Sequence, residues 1–480
     1  MRVISNALSN ASRSIVGLVF GLLTSVVIAR TLGPDRYGEY SYLNWLTTTL
    51  TVLTGLGFPM ALVKLISDGS GRANQPPIQG LLGVALWRAG TASALAMLMA
   101  LAIALAFPIP FKAHHFALAS LTTVPSVLAA CYGAAINGLE AYGPTTRVSI
   151  VVAVLQFGLT LTVLSLGGGI GALLSVGLVG AVVSMAWLRV INNRLIDSGS
   201  SPVPQDLRTG MARYARDMIV IILLDAIVWK RSELFFLERF WGMRTVGFYS
   251  MAFGIAEKAM RLPHSLYGSL FPTFSNLSAA RDSAGVERLM CAGTRLVSVI
   301  VMPIGFTLAL MAGPFVELVY GAEYAPAAGA LAAIMLVNVV GAATGVAVMA
   351  LYGIGEQRVV LIKDGIGAGI NIALNLALTS RYGLWGAVLA NSAAQMVSCA
   401  IVWHHVRRRF DLTPLLGGLA QLFALSVAGA VMARLVVSAA PGFTGVIAGV
   451  LLAAAVQTSG LFLTGTVGRN EWRALRVESA

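Results

Sequence analysis

The sequence predicts an all-α integral membrane protein, and three observations lead to this fold class. Of the 480 residues, 57% are hydrophobic and only 11% are charged, whereas soluble domains carry about 25% charged residues. The apolar residues form long runs, and a helix needs about 20 of them to cross a bilayer. A twelve-residue motif also occurs twice.

The net charge of +13 does not indicate nucleic acid binding, because the basic residues stand singly between apolar runs and form no basic face.

The apolar runs predict about fourteen membrane-spanning helices. The first six are predicted at Ser14–Ala29, Tyr40–Val63, Ala89–Phe107, Phe116–Leu139, Val148–Leu166 and Ile170–Leu188. The next six are predicted at Met218–Leu237, Val246–Leu270, Leu296–Phe315, Ala325–Leu351, Val359–Ser380 and Leu384–Trp403. The last pair is predicted at Leu412–Val437 and Gly445–Val467. The predicted organisation is therefore an N-terminal lobe at 1–191, a linker at 192–213, a C-terminal lobe at 214–409, and two further helices with a tail at 410–480.

The repeated motif supports the division into two similar halves. Residues Arg30–Ser41 read R-T-L-G-P-D-R-Y-G-E-Y-S, and residues Arg239–Ser250 read R-F-W-G-M-R-T-V-G-F-Y-S. Arg, Gly, Gly, Tyr and Ser coincide in the two copies, whereas ordinary composition gives roughly one identity by chance. Each copy is predicted to be a short connection between helices, with glycine where the chain turns. Repeated halves are typical of membrane transporters.

The distribution of Lys and Arg predicts the orientation. With fourteen spans and a cytoplasmic N-terminus, the cytoplasmic segments hold 24 of the 33 basic residues and the outer segments hold 9. Cytoplasmic loops carry such an excess of basic residues. Both termini are therefore predicted to be cytoplasmic, and both copies of the motif are predicted to face outward.

Polar residues near or within the predicted spans are candidate functional residues, because ionisable groups are costly in the bilayer. The candidates in helices one and two are Arg13, Arg30, Arg36 and Asn44, and those in helix seven are Asp225, Lys230, Arg231 and Glu233. A continuous seventh helix would place Asp225, Lys230 and Glu233 on one broad arc, with Arg231 outside it. This arc could line a polar cavity, or the charges could form salt bridges within the helix and extend to the interface. Arg30 and Arg36 could likewise be interface anchors.

Other polar residues predict no chemistry. Asn371, Asn375 and Asn391 are expected to form hydrogen bonds between helices. None of the five lysines follows a glycine, so the chain has no Walker A phosphate loop. The paired histidines lack further ligands nearby, and no nucleophile–base arrangement stands out. No catalytic residue, metal site or cofactor is predicted.

Several stretches together resemble a known family. They are I-A-R-T-L-G-P-D-R-Y-G-E-Y-S-Y (28–42), G-L-G-F-P-M-A-L-V-K (55–64), R-S-E-L-F-F-L-E-R-F-W-G-M-R-T-V-G-F-Y-S-M-A (231–252), G-P-F-V-E-L-V-Y-G-A-E-Y (313–324) and G-I-N-I-A-L-N-L-A-L-T-S-R-Y-G-L-W-G-A (369–387). The chain resembles the polysaccharide-transporter branch, with its Wzx-like oligosaccharide flippases, of the multidrug/oligosaccharidyl-lipid/polysaccharide exporter superfamily. The family usually has Asp where this chain has Glu233.

The resemblance implies two lobes of six helices around a central cavity, lined chiefly by helices one, two, seven and eight, with an extra C-terminal pair. It implies a non-enzymatic flippase in a bacterial cell membrane. The substrate would be a lipid-linked oligosaccharide of the polyprenyl-pyrophosphate type, moved from the inner to the outer leaflet by alternating access for cell-surface polysaccharide synthesis. Implied partners are membrane lipids, H⁺ or Na⁺ as coupling ion, and a polymerase or glycosyltransferase.

The candidate residues fall into two roles under this interpretation. Six would bind the substrate in the cavity, since Arg and Lys suit phosphate: Arg13, Arg30, Arg36, Asn44, Lys230 and Arg231. Asp225 and Glu233 would bind the coupling ion. One alternative is a cation-coupled antiporter of drugs or small molecules from the same superfamily, which would more often place acids than bases in its cavity. Another is a membrane-embedded polysaccharide polymerase or ligase, which would usually need a large outer loop.

Overall fold

The protein is described by a computed structural model that covers residues 2–69, 77–106, 111–196, 203–229 and 231–464. Within these residues, every regular element is a helix. The helices are built from apolar residues, and many large apolar side chains lie on their outer surfaces, for example Leu105 and Leu435. Such a surface is stable next to lipid and costly in water. The all-α membrane fold is thus confirmed.

The chain forms two compact units, Met1–Arg231 and Ser232–Ala480. Unit 1 contains eight described helices: α1 Arg2–Thr54, α2 Phe58–Gly69, α3 Ile78–Ala106, α4 Ala113–Leu121, α5 Thr123–Gly138, α6 Tyr142–Ser165, α7 Ile170–Leu195 and α8 Gln205–Trp229. The unit boundary follows α8, whereas the sequence interpretation places the lobes on either side of residues 192–213. The division into functional lobes therefore stays a prediction.

Unit 2 contains ten described α-helices and two shorter helical segments. The α-helices are α9 Glu233–Trp241, α10 Met243–Ala259, α11 Arg261–Ala279, α12 Ser283–Leu310, α13 Ala312–Tyr320, α14 Ala328–Gly353, α15 Gln357–Leu374, α16 Ser380–Val406, α17 Thr413–Ala439 and α18 Phe443–Thr464. A 3₁₀ segment, Ala322–Ala327, precedes α14, and a π-helical turn, Asn375–Thr379, joins α15 to α16.

Ten helical segments of the described residues are long and apolar enough to cross a membrane. Two of the ten contain a glycine with non-helical backbone angles: Ile15–Thr54 bends at Gly33, and Gln357–Val406 bends at Gly383. The protein is therefore a multi-pass membrane protein. The total of fourteen spans stays a prediction.

The core of unit 1 joins several of these helices. Leu62 of α2, Leu81 of α3, Cys131 of α5 and Met211 of α8 are all fully buried in one apolar cluster. The turn before α2 approaches α8 closely, because a Cβ atom on Gly57 would lie 2.5 Å from the carbonyl oxygen of Ala215. Only glycine fits this position, which also has a left-handed φ of 70°. In unit 2, α12 packs between α14 and α17, and α15 packs along α16.

The predicted seventh helix is interrupted. α8 ends at Trp229, α9 begins at Glu233, and Arg231 between them has a φ of 63°. This left-handed conformation cannot continue a right-handed helix. The prediction of one continuous helix over Met218–Leu237 is therefore wrong, and the common arc it gave for Asp225 and Glu233 does not apply.

The repeated motif has the same backbone geometry in both units. Gly33 has φ 73° and ψ 173°, and Gly242 has φ 77° and ψ −178°. This combination of angles is open essentially to glycine alone. In each copy a helix ends before the glycine and another begins after it, as predicted. The two copies are therefore one structural motif, which we call the glycine bend.

Candidate functional site

Four of the six predicted substrate-binding residues have described side chains, all in unit 1. Arg30 and Arg36 are exposed on either side of the glycine bend at Gly33, and Asn44 is exposed further along α1. Arg231 is half-buried in the break between α8 and α9. The arginines thus stand at two interruptions of the helical backbone.

The remaining candidates in unit 1 are less fully described. Arg13 lies in α1 and Asp225 lies in α8, but both side chains lie outside the described part of the chain. Lys230 lies wholly outside the described residues. The roles of Arg13, Asp225 and Lys230 therefore stay predictions.

Glu233 is the candidate that the structure joins to a polar network. It is the first residue of α9 and is fully buried in unit 2. Its Oε1 atom accepts two hydrogen bonds of 2.8 Å, one from Nδ2 of Asn371 on α15 and one from Nδ2 of Asn391 on α16. The prediction of interhelical hydrogen bonds by these two asparagines is confirmed. Their shared partner is the carboxyl group of Glu233.

Each of the two asparagines is oriented by further hydrogen bonds to its side-chain oxygen. Oδ1 of Asn371 accepts from Oγ of Ser232 at 3.2 Å and from Nδ2 of Asn375 at 3.1 Å. Oδ1 of Asn391 accepts from Nε2 of Gln395 at 2.9 Å. Because the oxygens are occupied in this way, both amide nitrogens point toward Glu233. Amide donors of this kind stabilise a negatively charged carboxylate.

The π-helical turn extends the network along α15. Oγ1 of Thr379 donates to Oδ1 of Asn375 at 2.8 Å. The wider π turn interrupts the regular hydrogen-bond ladder, and the carbonyl oxygen of Thr379 accepts from Nε1 of Trp241 at 2.8 Å. The short helix α9 is thus attached to the α15–α16 pair at both of its ends, through Glu233 and through Trp241.

The second copy of the repeated motif contributes to the same site. Tyr249 is fully buried and its side chain faces the Glu233 carboxyl group. Tyr249 is one of the five residues shared by the two copies, and Ser250 beside it is also buried. The glycine bend therefore places a motif side chain against the buried acid.

The electrostatic character of this site follows from its contacts. Within the described part of the chain, no basic side chain forms an ion pair with Glu233, whose hydrogen-bond partners Asn371 and Asn391 are neutral amides. A buried acid without a basic partner is more stable when it is protonated or when it binds a cation. The arrangement can therefore hold an exchangeable proton or a small cation.

Three members of the network were missed by the sequence interpretation: Ser232, Thr379 and Gln395. A pattern was present, because Asn371, Asn375 and Thr379 are spaced by four residues, as are Asn391 and Gln395. Residues four apart lie on one face of a helix. Two polar stripes on consecutive apolar helices indicate a buried hydrogen-bond network. This signal does not depend on knowing that Glu233 belongs to the network.

Comparisons with family models and with solved structures both relate the chain to membrane or polysaccharide-synthesis proteins. Residues 27–329 match the family model "Polysaccharide biosynthesis protein", and residues 261–463 match the model "Lipid II flippase MurJ". None of the curated proteins matches the sequence. Among solved structures, the lipid II flippase MurJ in an inward closed conformation is similar, with a TM-score of 0.73 and 14% identity over 96% of this chain and 98% of that chain.

Two transporters of the MATE family also share the fold. An inward-facing transporter of the MATE family and MOP superfamily has a TM-score of 0.63 and 14% identity over 84% of this chain and 98% of that chain. A mutant form of the Vibrio cholerae MATE transporter VcmN has a TM-score of 0.56 and 14% identity over 85% of this chain and 97% of that chain. At such identities the likeness establishes the fold, and the family model establishes the family. Since the polysaccharide biosynthesis model matches well over half of the sequence, the chain belongs to the polysaccharide biosynthesis protein family.

Proposed function

We propose that this protein is a flippase that moves a lipid-linked oligosaccharide from the inner to the outer leaflet of a bacterial cell membrane, for cell-surface polysaccharide synthesis. The observation that carries the proposal is the overlap of two family matches on one chain, polysaccharide biosynthesis over 27–329 and lipid II flippase over 261–463. Both descriptions fit a sugar-bearing lipid as substrate. Transport proceeds by alternating access, with both termini in the cytoplasm and no catalytic step.

The physical problem that such a protein solves is the polar head of the substrate. The hydrocarbon layer is about 30 Å thick, and each unsatisfied polar group in it costs several kcal/mol. Basic side chains and water in a protein cavity replace the lost hydrogen bonds of the sugar and diphosphate, while the lipid tail stays in the bilayer. The energy comes from an ion gradient or from consumption of the product at the outer surface.

Deletion of the gene tests the proposal. The expected result is accumulation of a lipid-linked sugar precursor in the inner leaflet and loss of the surface polysaccharide, because synthesis continues while translocation stops. The measurement is lipid extraction with mass spectrometry and leaflet-specific labelling. A deletion strain with normal precursor levels and increased sensitivity to cationic drugs would instead support the antiporter alternative, which the fold likeness to multidrug transporters favours.

Within this function, we propose that six residues bind the substrate head: Arg13, Arg30, Arg36, Asn44, Lys230 and Arg231. The basic members supply charge to the diphosphate, and arginine also offers two parallel donors. The exposure of Arg30 and Arg36 beside the glycine bend supports this role, because an exposed guanidinium can reach a ligand.

Replacing Arg30 by Ala is therefore expected to reduce export about tenfold or more, since loss of one charge-assisted hydrogen bond costs about 1.5–3 kcal/mol. Arg30→Lys should retain part of the activity because the charge remains. The measurement is surface polysaccharide per amount of inserted protein. Arg147→Ala is the control, because Arg147 is an exposed arginine of α6 in the same unit and is outside the proposed set. Wild-type export by Arg30→Ala, Arg231→Ala and Lys230→Ala, all normally inserted, would contradict the cationic site.

We further propose that the coupling ion, H⁺ or Na⁺, binds at Glu233, with Asp225 as the second candidate. Burial of Glu233 among neutral partners supports its role. Asp225→Asn separates the two candidates. If Asp225 is the coupling residue, this variant and not the Glu233 variant loses the dependence of transport on pH or sodium.

A further inference from the structure

A short connection at one end of unit 2 has no part in the proposed transport cycle. We call residues Arg407–Leu412 the α16–α17 loop, because α16 ends at Val406 and α17 begins at Thr413. Both flanking segments are long and apolar enough to cross the membrane. Six residues between two spans cannot carry their side chains far from the bilayer. We therefore expect the three consecutive arginines of this loop to lie in the headgroup layer, which adds about 5–8 Å to each side of the hydrocarbon core.

The loop is held in one conformation by contacts to two other helices. Nη1 of Arg409 forms an ion pair of 2.7 Å with Oε1 of Glu356, the residue that precedes α15. The backbone N–H of Asp411 donates to Oε2 of Glu287 on α12 at 2.9 Å. The Asp411 carboxylate accepts two hydrogen bonds from Thr413, at 3.0 Å from N and 2.7 Å from Oγ1. These bonds hold the pKa of Asp411 below its ordinary value.

The start of α17 is also attached to α12. Arg295 donates from Nη2 to the carbonyl oxygen of Pro414. Its guanidinium lies against Gly418, where a Cβ atom would be 2.9 Å from Nε. The loop and the first turn of α17 are thus both anchored to α12 by polar contacts. A preformed surface loses less entropy when it binds a ligand.

The contacts leave two of the three arginines for an external partner. Arg407 and Arg408 are exposed, and no described acidic side chain forms an ion pair with either of them. Arg407 contacts Nδ1 of His404 at 3.0 Å. Among the acids of the loop and its anchors, Glu356 pairs with Arg409, and the Asp411 carboxylate accepts from Thr413. The loop therefore presents two exposed guanidinium groups, those of Arg407 and Arg408, that form no ion pair with a described acid.

The surface beside the loop is apolar. Leu416 in the first turn of α17 is 65% exposed, and Phe423 two turns later is 51% exposed. A ligand that contacts both regions must have an anionic head in the headgroup layer and a hydrocarbon chain below it. Free anions lack the chain, and neutral lipids lack the charge.

We propose that the α16–α17 loop is a binding site for the phosphate of an anionic phospholipid, with Arg407 and Arg408 as its ligands. Arg409 and Asp411 are positioning residues that hold the loop. Guanidinium groups bind phosphate with two parallel donors, and basic residues next to a membrane are attracted to anionic lipids. The site is separate from the proposed substrate-binding residues, all of which lie in unit 1.

The test uses the purified full-length protein in detergent with added phosphatidylglycerol, phosphatidylcholine or inorganic phosphate. Native mass spectrometry measures bound lipid, and thermal unfolding measures the stabilisation it causes. Phosphatidylglycerol is expected to bind and raise the melting temperature, while the other two do not. In the double variant R407A/R408A its affinity should fall about 30-fold, the equivalent of about 2 kcal/mol for two basic residues. R407K/R408K should retain most of the affinity.

The matched control is Arg434→Ala. Arg434 is an exposed arginine near the other end of α17, where it donates to Oγ of Ser438 at 3.1 Å, and its loss should leave the affinity unchanged. The proposal is overturned if R407A/R408A, with the unfolding temperature of the wild type in phosphatidylcholine, keeps the wild-type preference for phosphatidylglycerol. It is also overturned if inorganic phosphate competes as well as the lipid does. None of these measurements depends on transport, so they test the lipid site whether or not the proposed function is correct.

Discussion

Replacing Glu233 by Gln is expected to reduce export at least about tenfold, the equivalent of about 1.4 kcal/mol, and to remove the dependence of transport on pH or sodium. Gln keeps the shape of the side chain and one oxygen that can accept from Asn371 or Asn391. The Gln amide cannot be protonated near neutral pH, and it carries no negative charge to neutralise a bound cation. The measurement is translocation of labelled lipid-linked oligosaccharide in vesicles, with imposed proton and sodium gradients applied separately.

Two further variants show whether the effect belongs to the charge or to the packing. Glu238→Gln makes the same change five residues later in α9, where the side chain is only half-buried, and should transport as the wild type does. Glu233→Leu leaves two buried amide donors without an acceptor, and each costs about 1–3 kcal/mol; this variant should be depleted from the membrane. If Glu233→Gln is inserted normally and transports with the wild-type dependence on both gradients, the residue only anchors α9 to α15 and α16.

Replacing either glycine of the glycine bend by Ala should destabilise the protein by about 1–3 kcal/mol, because both glycines adopt backbone angles that a side chain strongly disfavours. The values are φ 73° and ψ 173° at Gly33, and φ 77° and ψ −178° at Gly242. No atom outside the adjacent backbone lies within 4 Å of a Cβ built on Gly242. The destabilisation by Gly242→Ala would therefore arise from the backbone angles alone. The measurement is thermal unfolding of purified protein, together with the amount of protein in the membrane.

Each bend has a matched control in its own unit. Gly158 in α6 and Gly369 in α15 have helical angles and open space around a built Cβ. Ala at these helical positions is favoured over Gly by about 0.5–1 kcal/mol. Gly158→Ala and Gly369→Ala should therefore be neutral or stabilising. A melting temperature for Gly33→Ala or Gly242→Ala equal to that of its control would contradict the importance of the bend.

The helices themselves were largely predictable, because an apolar run of spanning length has one stable solution in a bilayer. The run Ile170–Leu188 corresponds to α7 at Ile170–Leu195, and Leu412–Val437 corresponds to α17 at Thr413–Ala439. The break at Arg231 was not predictable in the same way. Hydrophobic periodicity reports which face of a helix is buried, and it does not report the φ of a single residue between two helices.

The glycine bend was predictable in position but not in shape. A twelve-residue repeat with five identical positions indicated two equivalent turns, and glycine indicated unusual angles there. The near-identical φ and ψ values of Gly33 and Gly242 do not follow from residue type, because glycine can adopt many combinations of angles. For the buried site, the sequence identified Glu233 and the asparagines separately. Their contact depends on α9, which is more than 100 residues before α15 and α16 in the chain, and no spacing rule connects residues across such a distance.

The shared glycine bend also has a consequence for how the chain originated and diversified. Both units enter a helix from the same bend, so the simplest origin is one ancestral segment that was copied. The residues after the bend have since diverged: Pro34, Asp35 and Arg36 in the first copy correspond to Met243, Arg244 and Thr245 in the second. The first trio has no net charge, and the second has a charge of +1. The backbone geometry of the bend is thus the same in both copies although the three side chains that follow it differ, so the same bend can present different chemical groups in each unit.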